Sequence, residues 1–395
     1  VGSEMCIRDR FKSFLQSPSV GGVLLLISAA LAIGVANSPI ADQYFMFLKL
    51  PLGPFPVDLW VNDVLMAIFF LSVGLEIKHE MIYGELNTNA KRILPTVCAC
   101  CGVMVPAIIY FMFNHANPLY HRGWAIPTAT DIAFSIGVVS LLGTRVPIAM
   151  KVLLTTLAVV DDLIAVIIIA AVYTESLQFM FMGLALVIFV ILMLLNRNGV
   201  FHPIPYILLG IALWFCIFKS GLHATLSGVI LAMTIPYRAK YKTGRLISPV
   251  MQWNNALIKW ITFLVLPLFG FVNAGVSFGD FTASDLFQPV VLGVSLALFL
   301  GKQIGVFATV YILVKTKLVE MPVHATWSHV YGIALCCGIG FTMSLFVDLL
   351  AFPAGHAQEM AKVGIFMGSI LSGVLGYLVL RFLTPDVSAL EQNEE

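Results

Sequence analysis

Two adjacent carboxylates, Asp161 and Asp162, stand in the middle of an apolar run that extends from about Pro147 to Tyr173. A run of that length crosses a bilayer, which needs about 20 apolar residues as a helix. An ionised Asp at mid-membrane costs about 2.5–3.5 kcal/mol on insertion scales. A chain therefore holds two side by side only where they face water, protein or an ion, and the rest of the molecule is read as the wall of a cavity around them. Composition agrees, because the 395 residues are 59% hydrophobic and 11% charged, whereas a soluble domain carries about 25% charged residues. The fold class is an all-α polytopic membrane protein, and no alternating pattern suggests a transmembrane barrel.

Apolar runs split at charges, Pro and Gly predict about twelve spans: 18–37, 61–84, 94–114, 123–143, 147–174, 178–196, 203–218, 221–236, 255–276, 288–314, 328–352 and 358–382. With both termini cytoplasmic, the inner loops hold most of the Lys and Arg, including Arg238, Lys240, Lys242 and Arg245. Only Lys49, Arg122, Lys219 and Lys362 fall outside. Residues 11–385 form one transporter domain, 386–395 an acidic cytoplasmic tail, and 1–10, which match nothing that follows, a non-native scar. Phe45 to Trp60 holds three prolines and a Gly and reads as an external hairpin or loop, not a helix. Cys98, Cys100, Cys101, Cys216, Cys336 and Cys337 lie in spans without a paired motif, so they read as packing residues, neither disulfides nor metal ligands.

Three more spans carry anomalies. In the fourth, Pro127 breaks or kinks the helix, Thr128 and Thr130 can satisfy the freed backbone, and Asp131 follows at once. In the eleventh, Gly338 and Gly340 precede Thr342 and Ser344, a second weak point. Taken alone that glycine pair reads as helix packing. Two interrupted helices in corresponding positions of two halves point instead to a transporter's binding site. The tenth span carries the deeply placed cation Lys302, whose candidate partners are Asp131, Asp161 and Asp162. Four unpaired charges would cost about 12 kcal/mol together, comparable to the stability of a whole domain. They must share one site. Half-helix N-termini favour an anion and C-termini a cation, roles that fit Asp131 and Lys302.

Glu76 and Glu80 share one face of the second span at i,i+4. They are either an interfacial charge cluster or a funnel for cations. His223 is either a pH-responsive group or a hydrogen-bonded structural one. Asp348, towards the outer end of the eleventh span, reads as a solvated face.

From about Pro18 to Arg381 the chain resembles the NhaA-type sodium/proton antiporters. The resemblance rests on FFLSVGLEIKHE (69–80), GWAIPTATDIAFSIGVVSLLG (123–143), LAVVDDLIAV (157–166), KSGLHATLSGVI (219–230), FVNAGVSF (271–278), LGKQIG (300–305) and CGIGFTMSLF (337–346). Antiporters of this type are among the cases from which the broken-helix rule was drawn. The resemblance implies a twelve-span fold with inverted repeats, 94–174 and 288–382, whose fourth and eleventh helices cross as broken chains at mid-membrane. It implies that Asp161 and Asp162 bind the ion or proton, with Thr130 as a neighbouring oxygen for a transient sodium ion. Asp131 and Lys302 would compensate the helix ends, Lys302 would also pair with Asp161 and exchange its proton, and Glu76 and His223 would match positions tied to the cytoplasmic entrance and pH response. Two departures stand out. The family's dimer-forming hairpin is replaced by the short Pro-rich 45–60 segment, which weakens the expectation of a homodimer. Gln252, Trp253, Asn254 and Asn255 stand where some members carry acid and His side chains.

The expected activity is electrogenic, pH-regulated exchange of cytoplasmic sodium or lithium for external protons in a bacterial inner membrane. Its partners are small cations and the lipid bilayer, with no nucleic acid and no cofactor. A hard cation suits carboxylate and hydroxyl oxygens. The chain is not read as an enzyme. An intramembrane aspartyl protease needs two Asp from different helices, and adjacent Asp161 and Asp162 project about 100° apart on one. A sodium-coupled symporter of a small organic solute is the stronger alternative, although no Arg lies deep in a span. An ATP-driven pump lacks any phosphate-binding motif.

Overall fold

The computed structural model describes residues 19–84, 86, 88–174, 177–240, 246–279 and 282–385. The expected N-terminal scar and acidic tail lie outside these. Among the described residues, nine helices are long and apolar enough to cross a membrane. They are α1 (Ser19–Ala36), α3 (Val57–Ile82), α4 (Asn89–Asn114), α6 (Ile148–Val172), α7 (Phe179–Arg197), α8 (Pro203–Ser220), α10 (Pro249–Asn273), α11 (Pro289–Lys315) and α14 (His356–Phe382). The pair α12 (Trp327–Cys336) and α13 (Phe341–Ala351), bent by 41°, makes a tenth if counted as one. Short α2 (Ala41–Leu48), α5 (Ile132–Ser140) and α9 (Leu226–Thr234) complete the helices. The protein is a multi-pass helical membrane protein.

The two remaining expected spans are built from shorter pieces. Residues 123–143 divide into a 3-10 segment, Pro118–Thr128, and α5. Residues 221–236 hold the nine-residue α9, because α8 ends on Gly221 in the left-handed region at φ 87° and the chain turns there.

The stretch 45–60 is only partly the hairpin expected. Pro51–Leu52 pairs antiparallel with Phe55–Pro56, and Gly53 takes the positive φ of 72° that a two-residue turn requires. Phe45 to Leu48 are nevertheless helical in α2, and Val57 already opens α3. The prolines stand at 51, 54 and 56, so they block a helix there and nowhere else.

The chain divides into two compact units. The first comprises Val1–Asn37, Ile93–Asp161 and Asn273–Glu395, and the second Ser38–Arg92 and Asp162–Val272. In the first, α14 packs on α11, α12 and α13, while α1 packs on α5. Small buried residues of α14 (Gly364, Gly368, Ser369, Ser372, Gly373 and Gly376) let neighbouring backbones approach. In the second, α3 packs on α9 around an apolar core that includes Leu71, Leu75, Leu213, Leu231 and Ile235. Lys78 of α3 donates to the carbonyls of Met233 at 2.7 Å and Ile235 at 2.5 Å. It places a cation where α9 leaves its last carbonyls unsatisfied.

Candidate functional site

The fourth expected span is interrupted where the chain passes from the 3-10 segment into α5. Pro127 has no N–H to offer, and Ala129 (ψ 150°) and Asp131 (ψ 103°) are extended. Thr128 Oγ1 donates to Ala125 O at 2.7 Å, filling one carbonyl of the broken end. The second interruption, Cys337–Gly340, lies between α12 and α13. A Cβ at Gly338 would stand 2.7 Å from Leu298 O, and one at Gly340 would stand 2.8 Å from Leu298 Cδ2. Glycine is needed here for close approach, not for an unusual backbone conformation.

The two interruptions are bonded to each other. Asp131 N–H donates to Ile339 O at 2.7 Å. Asp131 Oδ1 accepts from the Phe134 N–H at 2.9 Å, capping α5. Its Oδ2 accepts from the Thr342 N–H at 3.0 Å and from Thr342 Oγ1, in the first turn of α13. One carboxylate thus faces two helix N-termini, where exposed N–H groups and the peptide dipoles favour negative charge. Hydroxyls take up the carbonyls opposite. Ser135 Oγ donates to Cys336 O at 2.9 Å, and Ser344 Oγ to Ile126 O at 2.7 Å. Ser369 Oγ of α14 accepts from the N–H groups of Gly340 and Phe341, each at 3.2 Å.

Beside this junction lies a buried ion pair. Lys302 Nζ is 2.6 Å from Asp161 Oδ2, and both side chains are 0% exposed. Thr130 Oγ1 is 2.7 Å from the same oxygen and 2.9 Å from Cys337 O. Of the three carboxylates that could have answered Lys302, the structure pairs it with Asp161 and leaves Asp131 to the helix ends. The ion pair replaces hydration that neither charge could do without. Lys302 is flanked by two π-helical stretches, Ala297–Gly301 and Gln303–Phe307, a distortion that recurs at functional sites. Asp162, next along α6, is also 0% exposed. The division between the two compact units falls between Asp161 and Asp162.

The remaining candidates sit elsewhere. Glu76 and Glu80 are half-buried on the last turns of α3, with Lys78 between them turned to the end of α9. His223 Nε2 lies 2.9 Å from Tyr173 O. Asp348 corrects the sequence reading: it is 0% exposed, not solvated. Its position on α13 is covered because α13 packs on both the 3-10 segment and α14, and an isolated span gives no sign of that double packing. Sequence reasoning also missed Ser135 and Ser369, which serve the breaks. Their only signal is a small hydroxyl among apolar neighbours. Among the described residues, Cys98, Cys100, Cys101, Cys216, Cys336 and Cys337 are all free. No group of three or more His, Cys, Asp or Glu among them could hold a metal ion.

A bundle of apolar helices, with interrupted segments bonded through one carboxylate beside a buried lysine–aspartate pair, is the construction of membrane transporters that work at a helix break. More narrowly, the chain belongs to the Na+/H+ antiporter 1 family, whose pattern matches residues 12–380. It is 49% identical over 371 residues to the Na(+)/H(+) antiporter NhaA of Brucella ovis, covering 94% of each chain. It is 48% identical over 388 residues to the Na(+)/H(+) antiporter NhaA of Mesorhizobium japonicum, covering 98% of this chain and 97% of that one. With the Na(+)/H(+) antiporter NhaA of Brucella abortus the identity is 49% over 379 residues, 96% of this chain. The chain spans about half the length of that relative, 52%.

Proposed function

We propose that the protein exchanges sodium or lithium ions for protons across a bacterial inner membrane, one site opening alternately to each side. The observation that carries this reading is the fully buried Lys302–Asp161 pair, at 2.6 Å, immediately before the equally buried Asp162. A carboxylate already answered by an ammonium has no net charge to offer a metal ion. A cation can be bound only when Lys302 lets go of Asp161, and a proton arriving at the carboxylates restores the first arrangement. Cation and proton then exclude each other by charge balance, which is what exchange requires. In this reading Asp161 and Asp162 bind the ion or the proton and Thr130 adds an oxygen. Asp131 holds the two breaks in register while the site changes access.

Several finer features belong to the same proposal. The fourth and eleventh spans cross at mid-membrane within a twelve-span fold of inverted repeats, 94–174 and 288–382. Both termini are cytoplasmic, and more protons than sodium ions move per cycle. Glu76, Glu80 and His223 contribute to ion entry and pH response. The bonds between Asp131 and both broken segments support the crossing. The test is dequenching of a pH-sensitive dye in everted vesicles on addition of sodium or lithium. Exchange is expected with the wild-type chain and is lost in Asp162→Asn. Normal exchange by that variant would overturn the assignment.

A further inference from the structure

A fourth buried carboxylate stands apart from the junction. Asp348 is 0% exposed, and neither Oδ1 nor Oδ2 has a hydrogen-bond partner. It lies about 10 Å along α13 from Phe341, at 1.5 Å per residue, so it is not part of the Asp131 cluster. Besides the α5 end at its first turn, two elements make the main packing on α13. The 3-10 segment carries Tyr120, His121 and Arg122, and the ring of Tyr120 lies edge-on to Phe352, four residues beyond Asp348. The other element, α14, carries His356, Glu359 and Lys362 in its first turns. Lys362 is the charged group that acts on Asp348, and Glu359 acts in turn on Lys362. Lys362 is only partly buried, and Ser369 and Ser372 follow it at i+7 and i+10 on the same face of α14. Ser372 Oγ is likewise buried without a partner. Ser372 stands at the helix break itself, beside Gly338, while Ser369 accepts from the Gly340 and Phe341 N–H groups.

We propose that Asp348, with Lys362, is a second proton-binding site of the first unit, separate from Asp131, Asp161 and Lys302, which takes up and releases one proton in the exchange cycle. The arrangement in the structure is the loaded one. A neutral carboxylic acid tolerates burial without partners at the cost of a hydroxyl group, whereas a bare carboxylate in the same place costs far more. On release, the acid's O–H bond breaks and the proton passes to water at the Glu359 end. The Lys362 ammonium then swings onto the carboxylate and forms the ion pair that the loaded state lacks. No redox step or further reactant is involved.

The inference rests on the exchange activity proposed above, and the experiment separates the two. Full-length wild type, D348N, K362M and D348N/K362M are reconstituted in liposomes, and sodium-driven proton flux is followed across pH together with each protein's thermal midpoint. D348N, a permanent mimic of the loaded acid, is expected to lower the rate at the alkaline end by about threefold or more, with the acid end unchanged. K362M, which deprives the released carboxylate of its cation, moves half-maximal exchange to higher pH by about one unit. The double variant behaves as D348N, since no carboxyl remains for Lys362 to act on. It leaves no unmatched charge, so it decides the matter if a single variant fails to fold. Wild-type pH profiles in all folded variants, with only the thermal midpoint altered, would show a purely structural pair and overturn the inference. Absence of flux in wild type would instead overturn the exchange activity itself.

Discussion

Replacing Lys302 with Met tests the energetic core of the site. The ammonium and carboxylate are 2.6 Å apart with no exposure, and at an effective dielectric of about 20 their attraction is about 6 kcal/mol. Much of that is offset by the desolvation of both charges, so the pair's net contribution is small. Removing one partner is different, because the other stays buried. In Lys302→Met, Asp161 keeps the Thr130 hydroxyl on Oδ2, while Oδ1 has no partner even in the native structure. The expected loss is about 3–5 kcal/mol, and Asp161→Asn, which strands the lysine, loses a similar amount. The double variant D161N/K302M buries no charge and is expected within about 2 kcal/mol of wild type. The coupling energy is then at least about 4 kcal/mol. Thermal unfolding of the four proteins in detergent, followed by loss of the monodisperse chromatographic peak, reads the order directly. Both single variants should unfold well below the double. A double variant destabilised by the sum of the singles would mean that the two side chains do not sense each other, and the charge-exclusion argument would fail with them.

Three further outcomes follow from local geometry. Thr342→Val removes the hydroxyl bond to Asp131 Oδ2 but keeps the backbone N–H bond. It should cost about 1.5–3 kcal/mol, read as a lower thermal midpoint, and an unchanged midpoint would show that Asp131 does not need this donor. Lys78→Met uncovers the carbonyls of Met233 and Ile235 at the end of α9. Faster amide hydrogen exchange in the last turn of α9 is expected, with little change in α1, and equal exchange rates would refute the capping role. Burial pushes the Tyr44 phenol up from 10.0 to about 12, and its hydroxyl donates to Phe271 O at 2.6 Å. A raised value means that this contribution is full below pH 10 and is lost as pH rises towards 12. The stability gap between wild type and Tyr44→Phe should therefore close over that alkaline range, and a constant gap would count against it.

How far the site was legible depends on what kind of argument each residue needs. Asp131, Asp161, Asp162 and Lys302 announce themselves, because an ionised group in an apolar span is too costly to leave in lipid. All four are indeed buried. Pro127 likewise marks the first break, since a missing N–H is a covalent fact of the residue. Pairing was not legible from the residues themselves, which left three carboxylates open to Lys302; only the family resemblance singled out Asp161, and the choice depends on how α6, α11 and the breaks pack. Asp348 shows the same limit from the other side: its sequence neighbours read as a helix end facing water, yet it is fully buried.

By itself, then, the sequence determined that this chain lives in a membrane, where its long apolar helices run, and which side chains cannot be left without a partner. Those conclusions follow from transfer energies and hydrogen-bonding capacity, which belong to residues one at a time or to short runs. The tertiary structure alone decided which partner each charge received. It also decided that one aspartate would serve two helix N-termini, and that a second carboxylate would be enclosed with a lysine as its charged neighbour. Those outcomes depend on distances of a few ångströms between segments hundreds of residues apart, as with Asp131 and Thr342, and such distances exist only once the helices have packed.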